Sequence, residues 1–334
     1  MISFRMIGPL ARYTGYAVGF RGMVGKLLLS PELDFQLRAT KGNVPPETEP
    51  ELLRLLEKNG NYDRLGVAVG FPDVADGLAT RYRVIYSMYE ADDIPRAWKS
   101  HVERANEVWV PSQFCAEVFG RYNKRVRIVP WGIDTGVFRP GRREREGDEY
   151  VFGAVGVQSP RKGTDVMIEA FGRAFGGREG VRLIIKTRDT RQIPPFSNPM
   201  IDVVDADWPE ERLAQFYRDI DCLVECSRGE GVGMPPLQAV FSGTPALVTD
   251  WSGMRDYING AGVWGIRIKG LSKARNIGAE NARWAEPDAG HLAELMEWAV
   301  AERPRVTGDF SRWSLESMAG QFEEYVRWSW RACH

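Results

Sequence analysis

Short runs of β-branched and aliphatic residues alternate along this chain with longer stretches whose apolar positions recur every three or four residues. Residues 2–8, 67–71, 84–88, 108–110 and 126–129 are of the first kind and predict short buried strands. A stretch running to about Leu29, residues 49–58 after Pro45-Pro46, and residues 97–105 are of the second kind and predict helices. The turn-rich passage Pro130-Trp131-Gly132-Ile133-Asp134 and the charged, glycine-bearing residues 139–149 then read as a linker. A second series follows, with strands over 150–157, 181–185, 222–225 and 246–248. Its helices are predicted over 165–175, 210–219, 235–242 and 289–301, and a last helix over 315–330. Strands alternating with helices predict parallel α/β sheets. The expected organisation is therefore a Rossmann-like domain over residues 1–140, a second over 150–310, and a C-terminal helix within 311–334. Ligands of such sheets bind beyond the carboxyl ends of the strands, so two facing domains would create a cleft.

One loop carries the densest chemistry: Ser227-Arg228-Gly229-Glu230-Gly231-Val232-Gly233-Met234-Pro235-Pro236-Leu237-Gln238. Its glycines let backbone approach a ligand, and Pro235 and Pro236 suit a first helical turn, where a missing N–H costs nothing. A helix N-terminus offers unpaired N–H groups and a partial positive charge, which suit a phosphate. Helical side chains lean toward the N-terminus, so Gln238 is expected to reach back over the same ligand. Gly243 followed by Pro245 ends the helix.

This loop resembles the donor-site signature of GT-B glycosyltransferases, above all the retaining group called family 4, or glycosyl transferases group 1. That signature is Glu, seven residues, Glu; here it reads Glu230, seven residues, Gln238. The segment 106–112 (Asn-Glu-Val-Trp-Val-Pro-Ser), the passage Pro130-Trp131-Gly132-Ile133-Asp134, Glu286-Pro287-Asp288 and the final helix behind Phe310-Ser311 resemble the same family. Agreement is strong from about Val84 onward. The resemblance implies the GT-B fold, two Rossmann-like domains facing across a cleft, with the last helix crossing back to the first.

The resemblance also implies roles. Glu230 faces the transferred sugar and the backbone of Gly231, Val232, Gly233 and Met234 contacts the donor. The Gln238 amide, which both donates and accepts, replaces the usual carboxylate at the ribose. Arg161 and Lys162, between the first strand and first helix of the second domain, match the position that holds the diphosphate. Val157 stands where the family usually has an arginine. Gly15, in Thr14-Gly15-Tyr16, resembles a glycine loop under the donor phosphates; an ordinary turn is the alternative. Glu90 follows a strand end where it would hold a sugar hydroxyl, act as a base or simply cap a helix, and the histidine common at about Tyr89 is missing. Asp205-Ala206-Asp207 has the spacing of a metal-binding triplet. In this context Asp207 is instead expected in a base-reading or capping loop, with Lys186 and Arg188 as further phosphate candidates.

The implied activity is transfer of a sugar from a nucleotide diphosphate sugar to an acceptor hydroxyl, with retention, no metal and no cofactor beyond the donor itself. A glycan or other small acceptor is favoured. A modified base in DNA is the alternative, held by a basic groove around Arg121, Lys124, Arg125 and Arg127. A reading of another class, a catalytically impaired nucleotide-sugar-binding protein, is motivated by Val157, Gln238 and the missing histidine. No G-x-G-x-x-G follows the first strand, which counts against a dinucleotide-dependent oxidoreductase.

Composition narrows rather than redirects this. The chain has 334 residues, room for two cores, and a net charge of −1 that supplies no global pull toward nucleic acid. Four cysteines (Cys115, Cys222, Cys226, Cys333) lack zinc spacing, and three scattered histidines (His101, His291, His334) argue against a Ser-His-Asp enzyme. With no apolar run approaching the roughly 20 residues needed to span a bilayer, a reduced, cytoplasmic protein is expected.

Overall fold

A computed structural model describes residues 1–10, 15–40, 44 and 48–333; Thr14, Pro45, Pro46 and His334 lie outside them. The chain forms two compact units, one from Met1–Tyr89, Ile94–Asp134 and Ser311–His334, the other from Glu90–Asp93 and Thr135–Phe310.

In the first unit β1 (Ile2–Gly8), β2 (Leu33–Ala39), β3 (Leu65–Val69), β4 (Tyr82–Tyr86), β5 (Glu107–Val110) and β6 (Val126–Ile128) make one parallel sheet in the order β2-β1-β3-β4-β5-β6. Strands β3 and β4 begin and end two residues earlier than their apolar runs suggest. Gly70, at φ +129°, ends the first of them. The pattern missed β2, whose half-buried edge position leaves polar residues between Leu33, Phe35 and Leu37. Helices α1 (Gly15–Leu27), α2 (Pro50–Glu57), α3 (Arg96–Arg104) and α4 (Gln113–Phe119) belong to this unit, and α1 packs on the C-terminal helix Leu315–Ala332. That last helix is tied to the first unit by the hydrogen bond from the Leu315 amide to the Ile133 carbonyl, 2.9 Å. Ser329 adds a donor to buried Glu107, which also accepts from Tyr82, Trp109 and Arg127. Burial alone would raise the Glu107 pKa, but these donors hold it below its ordinary value.

Trp131 fills the space over α1, with Tyr16 and Tyr86 ring centroids 5.5 and 5.4 Å away. Gly19 is the reason it fits, since a Cβ there would lie 2.2 Å from the indole Nε1.

The second unit repeats the theme with β7 (Tyr150–Val155), β8 (Val181–Thr187), β9 (Ile201–Asp205), β10 (Cys222–Glu225), β11 (Ala246–Thr249) and β12 (Val263–Ile266). They form a parallel sheet in the order β12-β11-β10-β7-β8-β9. A small antiparallel pair, β13 (Ile268–Lys273) and β14 (Arg283–Pro287), had no signal in the apolar pattern because β13 is largely exposed. Of the unit's helices, α5 (Thr164–Phe175) and α8 (Ala289–Glu302) close one core with Phe152, Phe171, Phe175, Leu183 and Met296, while α6 (Glu210–Asp219) and α7 (Met234–Phe241) pack on each other. Strand order places β7 and β10 side by side at the centre. Their carboxyl ends therefore deliver the loops 156–163 and 226–233 to one place.

Replacing Gly19 with alanine drives a methyl group into a rigid ring. Equilibrium denaturation should show the first unit losing about 1–3 kcal/mol; unchanged stability would show that Trp131 moves aside freely.

Candidate active site

Two loops at the centre of the second sheet are sewn together before any ligand is considered. Gly163, at φ +66°, passes so close to β10 that a Cβ would sit 2.1 Å from the Cys226 carbonyl oxygen. Only glycine satisfies both the left-handed backbone and that approach. The Arg228 amide donates to the Arg161 carbonyl at 2.6 Å, and the Ser227 hydroxyl reaches the same oxygen at 3.2 Å. The nearly buried Arg228 guanidinium completes the stitch. It donates to the Pro160 carbonyl at 2.5 Å, to both oxygens of Asp165 at 3.0 and 2.8 Å, and to Glu286 at 2.9 Å.

This scaffold brings Arg161, Lys162 and Glu230 together. Lys162 Nζ lies 2.9 Å from Glu230 Oε1 and 2.9 Å from Glu225 Oε2, and Arg161 Nη1 lies 2.5 Å from the same Glu230 oxygen. Arg161 also donates to the Gly229 carbonyl at 2.6 Å. Burial would lower the Lys162 pKa, but the carboxylates of Glu225 and Glu230 outweigh it and hold the ammonium above its ordinary value. Burial likewise works against the Glu230 carboxylate, yet Arg161 and Lys162 press its pKa down to about 2. Glu225 shares only the lysine, so burial, reinforced by the charge of Glu230, leaves its carboxyl raised. Glu90 belongs to this second unit with the short segment Glu90–Asp93, although the chain on either side of that segment does not. Burial raises its pKa; Arg161 opposes that rise and Glu230 adds to it. Its carbonyl is 1.9 Å from where a Cβ on Gly229 would be. The neighbouring Asp92 pairs with Arg283 at 2.9 Å.

Glu230 opens the turn into α7. Its amide donates to Ser252 Oγ at 3.0 Å, and its carbonyl accepts from the Gly253 amide at 3.0 Å. Ser252 is held at φ +59°, a conformation costly for a serine, which shows how firmly the surrounding structure fixes that turn. Gly231, Val232 and Gly233 are buried; among the described residues the Val232 and Gly233 amides donate no backbone hydrogen bond. Gly233, at φ +79°, is the N-cap of α7, Met234 is its first residue, and Pro235 and Pro236 fall in the first turn, as their missing donors favour. The arrangement is a buried carboxylate flanked by two cations, set against backbone amides at a helix start. It suits an anion next to a neutral, hydroxyl-rich group.

Other sequence candidates lie elsewhere. Gln238, one turn into α7, is buried with its Oε1 accepting from the Tyr217 hydroxyl at 2.9 Å. Asp207, beyond β9, faces Arg188 at 3.7 Å, while Lys186 lies over the Trp208 ring at 5.3 Å. Those cations make the Asp205-Ala206-Asp207 triplet a poor metal site. Val157 is 45% exposed just past Gly156. Gly15 is the first residue of α1 in the first unit, where the Tyr16 hydroxyl accepts from the Met88 amide at 3.0 Å. Arg127, proposed for a basic groove, is bonded to Glu107 at 2.8 Å and covers the Trp328 ring at 4.7 Å. Sequence reasoning gave no role to Glu225 or Arg228. The signal for Glu225 was present: a carboxylate closing the apolar run Cys222-Leu223-Val224 must be paired if the strand is buried.

Residues 149–276, which span these loops, match the family model "Glycosyl transferases group 1". A relative named D-inositol 3-phosphate glycosyltransferase, from Acidothermus cellulolyticus, is 29% identical over 224 residues, covering 60% of this chain and 49% of the relative. The chain thus spans about half the length of the curated relatives it matches. Among solved structures, sucrose-phosphate synthase from Thermosynechococcus elongatus superposes with a TM-score of 0.73 at 16% identity, over 99% of this chain and 100% of that one. The catalytic domain of starch synthase IV from Arabidopsis thaliana, bound to ADP and acarbose, gives a TM-score of 0.64 at 12% identity, over 98% and 99%. The two parallel sheets are those of the GT-B fold, and residues 149–276 are similar to the group 1 glycosyl transferases whose family model they match.

Proposed function

We propose that this protein transfers a sugar from a nucleotide diphosphate sugar to an acceptor hydroxyl. The observation that carries the reading is the convergence of Lys162 and Arg161 on Glu230 Oε1, at 2.9 and 2.5 Å, beside the amide-bearing start of α7. A diphosphate entering here meets two cations already desolvated and oriented, which is the arrangement that stabilises charge building on a leaving group. Glu230, kept ionised, then accepts from sugar hydroxyls, and the Val232 to Met234 backbone contacts the donor. Gln238 donates to ribose through its amide while Tyr217 fixes its orientation. Asp207 lies with the base-facing loop.

The anomeric carbon keeps its configuration in this scheme. The acceptor oxygen bonds to that carbon as its bond to the diphosphate oxygen breaks; the electron pair stays on the diphosphate, which takes the acceptor proton. Glu90, with its raised pKa, holds a sugar hydroxyl beside Arg161. No step needs a metal, and turnover should persist in EDTA. The acceptor is a glycan or a small polyhydroxylated molecule, a class consistent with the names of the curated relatives. A DNA acceptor is less favoured because Arg127 is committed to Glu107 and Trp328. Salt-dependent retention on DNA would reverse that preference.

Lys162→Ala should lower transfer, or donor hydrolysis scored over UDP-, GDP-, ADP- and TDP-sugars, by about 100- to 1000-fold. Full activity in that variant would overturn the diphosphate role and favour a binding protein. Removing one partner of a buried pair also costs about 3–5 kcal/mol. Lys162→Met with Glu225→Gln should therefore recover much of the unfolding midpoint lost in Lys162→Ala without recovering turnover.

Glu230 gives a pH test. Its folded pKa of about 2 lies below its ordinary 4.5. Its ion pairs therefore contribute fully above pH 4.5, and the contribution is lost as pH falls toward 2. The stability gap between wild type and Glu230→Gln should narrow across that window; a gap constant with pH would show that the pairs contribute nothing.

A further inference from the structure

At the opposite, amino-terminal edge of the second sheet lies a cavity of about 400 Å³, within the size range of small-molecule sites. Strand β7 separates it from the Lys162 cluster by on the order of 17 Å, at about 3.3 Å per residue. Arg143, Arg218, Arg303 and Arg305 line it, and Asp221 is the one acid among its lining residues. Asp221 is already saturated, accepting from Arg143 at 2.7 Å, Arg145 at 2.8 Å and the Val151 amide at 2.8 Å. Arg303 and Arg305 are exposed and form no ion pair among the described residues; Arg303 instead hovers 5.5 Å from the Tyr150 ring centroid.

Two more lining residues, Tyr150 and Ser242, are 2% and 3% exposed, and their hydroxyls have no hydrogen-bond partner among the described residues. Such orphaned groups are rare because burying an unpaired hydroxyl is costly, and they mark places where a partner is missing. Helices α6, α7 and α8 all end on this cavity, at Ile220, Ser242 and Arg303. Their last carbonyls favour hydroxyl donors and offset part of the arginine charge. Arginine forks favour phosphate.

We propose that this cavity is a second binding site, separate from the donor site, for a phosphorylated polyol. Arg303 and Arg305 grip the phosphate, and the polyol hydroxyls meet Tyr150, Ser242 and the helix-end carbonyls. Calorimetry on the full chain with glucose 6-phosphate, and with inorganic phosphate as the minimal probe, tests it. Wild type and Lys162→Ala should bind glucose 6-phosphate alike, and inorganic phosphate more weakly. Arg303→Gln with Arg305→Gln, both at exposed positions, should weaken binding at least ~10-fold, the scale of two charge-assisted contacts. Tyr150→Phe separates a ligand role from a structural one. It should leave the unliganded protein as stable or more so, since an uncompensated hydroxyl is removed, yet lower the affinity. Absence of saturable binding by either probe would overturn the proposal. So would binding that Lys162→Ala abolishes and the double arginine variant retains. Because the Lys162→Ala arm reads the donor site alone, failure here leaves the transfer reading intact.

Discussion

A lysine ammonium buried between two carboxylates sets the terms for the whole second unit. Lys162 sits on the loop after β7, whereas Glu225 and Glu230 bracket the loop after β10, so the ion cluster has to form across two chain segments about 60 residues apart. An isolated charge at that depth would be prohibitive, and it is tolerated only because each partner is present. Strand order supplies the adjacency: β7 and β10 are hydrogen-bonded neighbours. The cluster therefore acts as a check on the sheet's pairing as well as a site.

Arg228 shows how rigidity is added. Its side chain reaches Pro160, Asp165 and Glu286 and so joins three separate points of the chain. With the Gly163 approach to Cys226, these bonds fix Arg161 and Lys162 to a geometry that depends little on their own long, flexible side chains. Rigid support of this kind limits the reorganisation needed when charge develops on a bound group. Ser252, kept in an unfavourable backbone region, performs the same service for the Glu230 amide.

The two ends of the second sheet differ in how they balance charge. At the carboxyl end, cations are matched by carboxylates and helix α7 offers its amide-bearing start. At the amino end, three helices finish and arginines outnumber acids. The first unit uses a buried carboxylate differently again. Glu107 is enclosed by four donors and fastens the C-terminal helix through Ser329.

Much of this was legible in the residues. Alternating apolar runs marked most strands of both parallel sheets, because a strand covered on both faces has to be a continuous hydrophobic run; the edge strands β2 and β12 escaped the pattern. Gly231-Val232-Gly233-Met234-Pro235-Pro236 determined a glycine turn into a helix, since φ values and missing donors are local properties. Arg161, Lys162 and Glu230 could be nominated from spacing within their own loops. Tertiary structure alone decided that they touch, that Glu225 joins them, and that Gln238 is oriented by Tyr217. It also took Arg127 out of any basic groove and gathered four arginines from three distant segments around one cavity. Local sequence fixes backbone torsions and periodicity, but pairing a charge depends on which strands become neighbours, and no stretch of residues encodes that by itself.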